Sequence, residues 1–97
     1  MADKQKFKRH IADIFDLPSE IILDMPIIKI IGNNEVTIEN HKGILEYTPY
    51  VLRMKSMLGI IKITGYYIEI KELDQSDIVI SGEIHSLEFI EWGGRRW

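Results

Sequence analysis

From Ile27 onward, apolar residues fall at alternate positions in short runs broken by Gly, Asn, Asp and Pro. Period-2 alternation is the mark of a strand with one face in the core. The clearest run is GIIKITGYYIEIKEL, residues 59–73. Ile61 and Ile63 alternate with Lys62 and Thr64; beyond Gly65, Tyr66, Ile68 and Ile70 alternate with Tyr67, Glu69 and Lys71. Apolar parity is odd before the glycine and even after it, which predicts two short strands hinged on Gly65 by a bulge or tight turn. IVISGEIHSLEFIEW, residues 78–92, reads as a second pair hinged on Gly82.

Three more strands are predicted at IIKIIG (27–32), EVTIE (35–39, with Val36 and Ile38 inward) and ILEYT (44–48). NHKG between the last two has hairpin composition. Asn40 tolerates left-handed geometry and Gly43 adopts it without penalty. YVLRMKSML (50–58) fits a strand through Tyr50, Leu52 and Met54, or a turn or two of helix through Val51, Met54, Lys55 and Leu58. Strand is preferred because its neighbours are strands.

Upstream the period changes. Phe7, Ile11, Ile14 and Phe15 stand at i, i+4, i+7 and i+8, predicting an amphipathic helix over about residues 4–16, capped by Asp3 and stopped before Pro18. Lys4, Lys6, Lys8, Arg9 and Asp13 surround the stripe. Such a helix either docks on a membrane surface or partner, or covers its own sheet; an isoleucine-rich sheet that needs a lid favours the second. The expected fold is thus mainly β. It is a single antiparallel meander or sandwich-like domain of short glycine-hinged strands, with one N-terminal helix, a β-body over about 27–91 and a flexible tail over 92–97. An alternative rests on the apolar-x-apolar-x-Gly echo ending at Gly32, Gly65 and Gly82, whose spacing suggests a solenoid-like stack of units about 17 residues long.

Composition narrows the function. At 97 residues the chain is one domain with a modest core, and it has no cysteine for a disulfide or thiolate metal site. No signal peptide begins at Met1 and no apolar run is long enough to span a bilayer, so a cytoplasmic protein with peripheral membrane contact at most is expected. The net charge of −3 is uneven: residues 1–10 carry +3, Arg95 and Arg96 add +2, and the segment between carries −8. An acidic body is poorly suited to tracking a nucleic-acid backbone.

Candidate chemistry is sparse. His10, His41 and His85 are far apart, with no HxH or HExxH spacing. Asp74 and Asp77 suit a polar turn and lack the other oxygens of a calcium loop. Glu83 and Glu88 flank a strand, and neither a GxSxG elbow nor a phosphate-binding GxxxxGK[ST] loop occurs. No catalytic, cofactor or metal residue is therefore assigned, and no enzyme is expected. Contact residues are more plausible: the helix face Phe7, Ile11, Ile14 and Phe15 with Lys8 and Arg9; His41 and Lys42 on their turn; and Trp92, Arg95, Arg96 and Trp97 in the terminal WGGRRW. Trp and Arg are enriched where binding energy concentrates. Asn40, Gly43, Gly65 and Gly82 are read as structural turn positions.

In order and spacing, LPSEIILDMPIIKIIG (17–32), IENHKGILEY (38–47), GIIKITGYYIEIKEL (59–73) and IVISGEIHSLEFIE (78–91) resemble the YabP/YqfC family of sporulation proteins, more closely its YqfC branch. The resemblance covers nearly the whole chain from Phe7 to Glu91; WGGRRW falls outside the family pattern. It implies a small non-enzymatic protein of endospore-forming bacteria, acting in the mother cell and required for spore formation. The implied companion is a sporulation membrane protein at the membrane surrounding the forespore. A second reading, from the isoleucine-rich strands, is a self-assembling homo-oligomer, a ring or filament of spore morphogenesis. A more remote one is a small ligand-binding or enzymatic β-domain.

Overall fold

The computed structural model describes residues 24–91; the expected helix over 4–16 and the tail over 92–97 lie outside them. Six strands follow in order: β1 (Ile27–Ile31), β2 (Glu35–Glu39), β3 (Ile44–Tyr47), β4 (Val51–Ser56), β5 (Gly59–Leu73) and β6 (Asp77–Ile90). They form a single antiparallel sheet of order β1-β2-β6-β5-β4-β3. Mainly β and antiparallel is as the alternation predicts. Sequential meander and solenoid stacking are not, because β6 inserts between β2 and β5 and β2 is not paired with β3.

The sheet is folded back on itself. Lys55 pairs with Ile60, which pairs with Ile90, whereas Glu39 pairs with Asp77. In a flat sheet the 13 residue-to-residue steps of β6 from Asp77 to Ile90 would hold those two levels ~43 Å apart. Yet the His41 N–H donates to the Ser76 carbonyl at 2.9 Å, and the next N–H, of Lys42, donates to the Lys55 carbonyl at 2.8 Å. Only a sheet bent over between the two levels permits both. One layer holds β1, β2, residues 77–81 of β6 and 69–73 of β5; the other holds β3, β4, residues 59–64 of β5 and 86–90 of β6. The inner faces meet in one buried cluster. Val36, Ile38, Ile78 and Ile80 come from the first layer, Leu52, Met54, Ile61 and Ile63 from the second, and Ile68 from the bend.

Two expectations need correction here. NHKG is not a hairpin: residues 40–43 cross from one layer to the other, and β3 returns beside β4. The stretches around Gly65 and Gly82 are not strand pairs either, since β5 and β6 run unbroken through both glycines. The parity switch is real, with Ile61, Ile63 and Gly65 buried and then Ile68. It is made by bulges: the register slips between Thr64 and Gly65 and again between Tyr66 and Glu69. At the bend the left-handed residue is Tyr67, at φ 56, rather than Gly65. Gly65 is required for space, because a Cβ there would lie 2.1 Å from the Glu83 carbonyl oxygen. Gly82, at φ +144, meets the bulge from the other strand; its Cβ would lie 2.8 Å from the Tyr67 carbonyl oxygen. Long strands turn this corner because a bulge bends and twists the strand that carries it.

Candidate interaction surface

The crossing loop is held from both sides. Asn40, left-handed at φ 70, donates from Nδ2 to the Met25 carbonyl at 2.8 Å. His41 is 5% exposed, and its Nδ1 accepts from the Gly43 N–H at 3.1 Å. In the neutral ring that leaves the proton on Nε2, which is buried with no hydrogen-bond partner among the described residues. Lys55 donates its N–H to the Gly43 carbonyl at 2.8 Å, and the Lys42 ammonium pairs with Asp24. Of the two candidate contact residues here, Lys42 presents surface and His41 presents almost none; the imidazole is a strut inside the loop. Asn40 and Gly43 take the turn roles that their types suggest.

The bend carries a second constellation. Tyr66 stands edge-on to Tyr50 with ring centroids 6.1 Å apart at 87°, and edge-on to His85 at 4.7 Å and 88°. His85 Nε2 lies 2.6 Å from Glu83 Oε2. Beside them Tyr67 is 80% exposed, the highest value among the exposed large hydrophobic side chains. Underneath, the Tyr47 hydroxyl donates to the Ile68 carbonyl at 2.8 Å, Ile68 N–H donates to the Pro49 carbonyl at 2.8 Å, and Gly65 N–H donates to that of Tyr50 at 3.1 Å. The β3–β4 corner is thereby fastened to the bulge, and three tyrosines are presented on a braced backbone.

Alternation places Tyr50 and Tyr66 inward with the core, but both are exposed. The usable signal was the tyrosine pair directly after a parity-switching glycine. A bulge at such a point re-aims side chains away from the face that alternation assigns.

Charge is distributed in isolated pairs. Glu46 and Arg53 pair across β3 and β4 at 3.0 Å, and Glu69 and Lys71 pair along β5 at 3.5 Å. Among the described residues no group of three or more His, Asp or Glu is placed to hold a metal ion, and no helix is long and apolar enough to cross a membrane. Gly65 and Gly82, remote in sequence, meet at the bend. Phe7, Lys8, Arg9, Ile11, Ile14, Phe15, Trp92, Arg95, Arg96 and Trp97 lie outside the described residues.

The chain is 26% identical over 88 residues to a protein of Bacillus subtilis (strain 168), "Uncharacterized protein YqfC", a match that covers 91% of this chain and 95% of that one. The model of the YabP family matches residues 24–96, which takes in all six strands, the crossing loop and the bend. On that match the chain belongs to the YabP family.

Proposed function

We propose that this chain is a non-enzymatic sporulation protein of the mother cell, required for spore formation, and that it binds a membrane-protein partner at the membrane surrounding the forespore. Membership in a family of sporulation proteins supports the setting. The observation that carries the binding role is the tyrosine cluster at the bend. Tyr50, Tyr66 and Tyr67 are all exposed, and Tyr67 sits in a backbone region that costs a bulky residue on the order of 1–3 kcal/mol. An exposed aromatic held in strain contributes nothing to a core. On a rigid mount, though, it loses little entropy when it enters a partner's pocket, and tyrosine is among the residues richest in binding hot spots. The expected helix face with Lys8 and Arg9, and the Trp-Arg tail, would add contacts to anionic headgroups or to the same partner.

The test is fractionation of sporulating cells carrying the wild-type chain or a Tyr66→Ala, Tyr67→Ala variant. Wild type should sediment with membranes and co-purify with a membrane protein. The variant should stay soluble while keeping the wild-type circular dichroism. A wild-type chain found wholly in the soluble fraction, or a variant that partitions like wild type, would refute the reading.

A further inference from the structure

A two-layer sheet leaves four edges, and here they are unequal. The β3 edge is short, bulged between Ile44 and Glu46, tied by the Glu46–Arg53 pair and followed by Pro49. The 69–73 edge of β5 exposes Glu69, Lys71 and Glu72. Bulges, charges and proline are the usual means of closing an edge. The other two edges carry fewer of them: neither is bulged, and Pro26 stands just before β1. Among the described residues β1 pairs only with β2, and it carries Ile30 and Ile31 at 52% and 53% exposed. Residues 86–90 of β6 pair, among the described residues, only with β5, since the β2 pairing stops at Ser81, and Phe89 is 50% exposed. Each edge holds a single charge, Lys29 on β1 and Glu88 on β6, and neither is in an ion pair among the described residues.

We infer that the occupant of these edges is a second copy of this chain, with β1 of one copy laid antiparallel along residues 86–90 of the other and Lys29 opposite Glu88. Face parity agrees at every position. Ile28 and Ile30 share the inner face with Ile38 and Val36; Leu87 and Phe89 share it with Ile63 and Ile61. With Lys29 opposite Glu88, Ile28 meets Phe89 and Ile30 meets Leu87 on the inner face. On the outer face Ile27 meets Ile90 and Ile31 meets Ser86. Sliding by two residues sets Lys29 against Ser86 or Ile90, and pairing β1 with another β1 about its centre sets Lys29 against itself. Opposite charges directly across a ladder stabilise it and like charges destabilise it, so the charges select both partner and register.

The fold allows the exchange to be mutual. Both edges lie on the side of β6 away from β5, one in each layer. β1 runs parallel to residues 77–81, two antiparallel steps away, and β6 returns in the opposite sense after the bend. Two copies brought together on that side each donate a β1 and each receive one, a closed twofold arrangement that leaves neither apolar edge open.

The purified chain tests this without any membrane partner, so failure here and failure of the proposed function are separable. Sedimentation should show a dimer that dissociates on dilution. Lys29→Glu and Glu88→Lys should each weaken the dimer by about tenfold, and the double variant should recover most of that loss. Two single-cysteine variants, Ile31→Cys and Ser86→Cys, change exposed positions in a chain without cysteine, so a disulfide between them in a mixture can only link separate copies. They should cross-link on oxidation, whereas Ile27→Cys with Ser86→Cys, the pair that parallel strands would juxtapose, should not. A monodisperse monomer, a dimer indifferent to both charge reversals, or cross-linking of the parallel pair instead would overturn the inference.

Discussion

Replacing Gly65 by alanine tests the account of the bend most directly. The new methyl carbon would sit 2.1 Å from the Glu83 carbonyl oxygen, 3.1 Å from its carbon and 3.2 Å from Ile84 Cα. All three are backbone atoms of the paired strand, so no side chain can rotate away. Restoring an ordinary carbon–oxygen contact requires β5 and β6 to part locally by roughly 1 Å. That opening falls beside the Gly65 N–H bond to the Tyr50 carbonyl (3.1 Å), which helps fasten the β3–β4 corner. Overpacking of this kind costs about 1–3 kcal/mol, and a weakened backbone hydrogen bond adds about 1. A total near 3 kcal/mol is a large share of the ~5–15 kcal/mol that holds a domain of this size together. It corresponds to a fall in Tm of roughly 12–24 °C. The control is Gly43→Ala. There φ is +126 but a Cβ meets nothing within 4 Å, so backbone strain alone acts and about 1 kcal/mol should be lost. Thermal denaturation followed by circular dichroism measures both. If Gly65→Ala melts within about 2 °C of wild type, or no lower than Gly43→Ala, steric contact does not explain that glycine.

Tyr67→Asn should raise the melting temperature while weakening membrane recruitment, because asparagine accepts the left-handed region that tyrosine resists, for a gain of about 1 kcal/mol; a fall in both would contradict a strained recognition residue. Ser56→Ala removes a buried hydroxyl that donates to the Gly59 carbonyl at 2.8 Å and accepts from the Leu58 N–H at 3.1 Å. About 1–2 kcal/mol should disappear in urea titration, and an unchanged midpoint would show those bonds to be idle. Ile80→Ala and Ile61→Ala, one in each layer, should each cost about 2–5 kcal/mol if the two faces share a core. A mild effect in either layer would argue against that shared core.

VLRMKS fits strand or helix and reads as β4 from its strand neighbours. The alternation of EVTIE was enough to identify β2 and its inward residues, because side-chain direction in a strand is a local property with a period of two. The odd-to-even switch within β5 was legible for the same reason. Which strands become neighbours was not. Asn40 and Gly43 report that the backbone turns, through the φ values they permit, but a turn residue carries no information on where the chain goes next. Whether NHKG closes a hairpin or crosses between layers depends on Ser76 and Lys55, which supply the carbonyls that receive it. Gly65 marked the position of the bend correctly for a reason that sequence could not disclose: the atom excluding its Cβ belongs to Glu83, on the next strand. The exposure of Tyr66 and Tyr67 follows from a bulge in the pairing with β6, and the openness of β1 and of residues 86–90 among the described residues follows from strand order. Sequence alone therefore determined which segments are extended, most of their buried positions and the place where parity reverses, since each is encoded between neighbouring residues. Tertiary structure decided the layering, the tyrosine surface and the two open edges, since each is a relation between segments that meet only after the sheet folds back on itself.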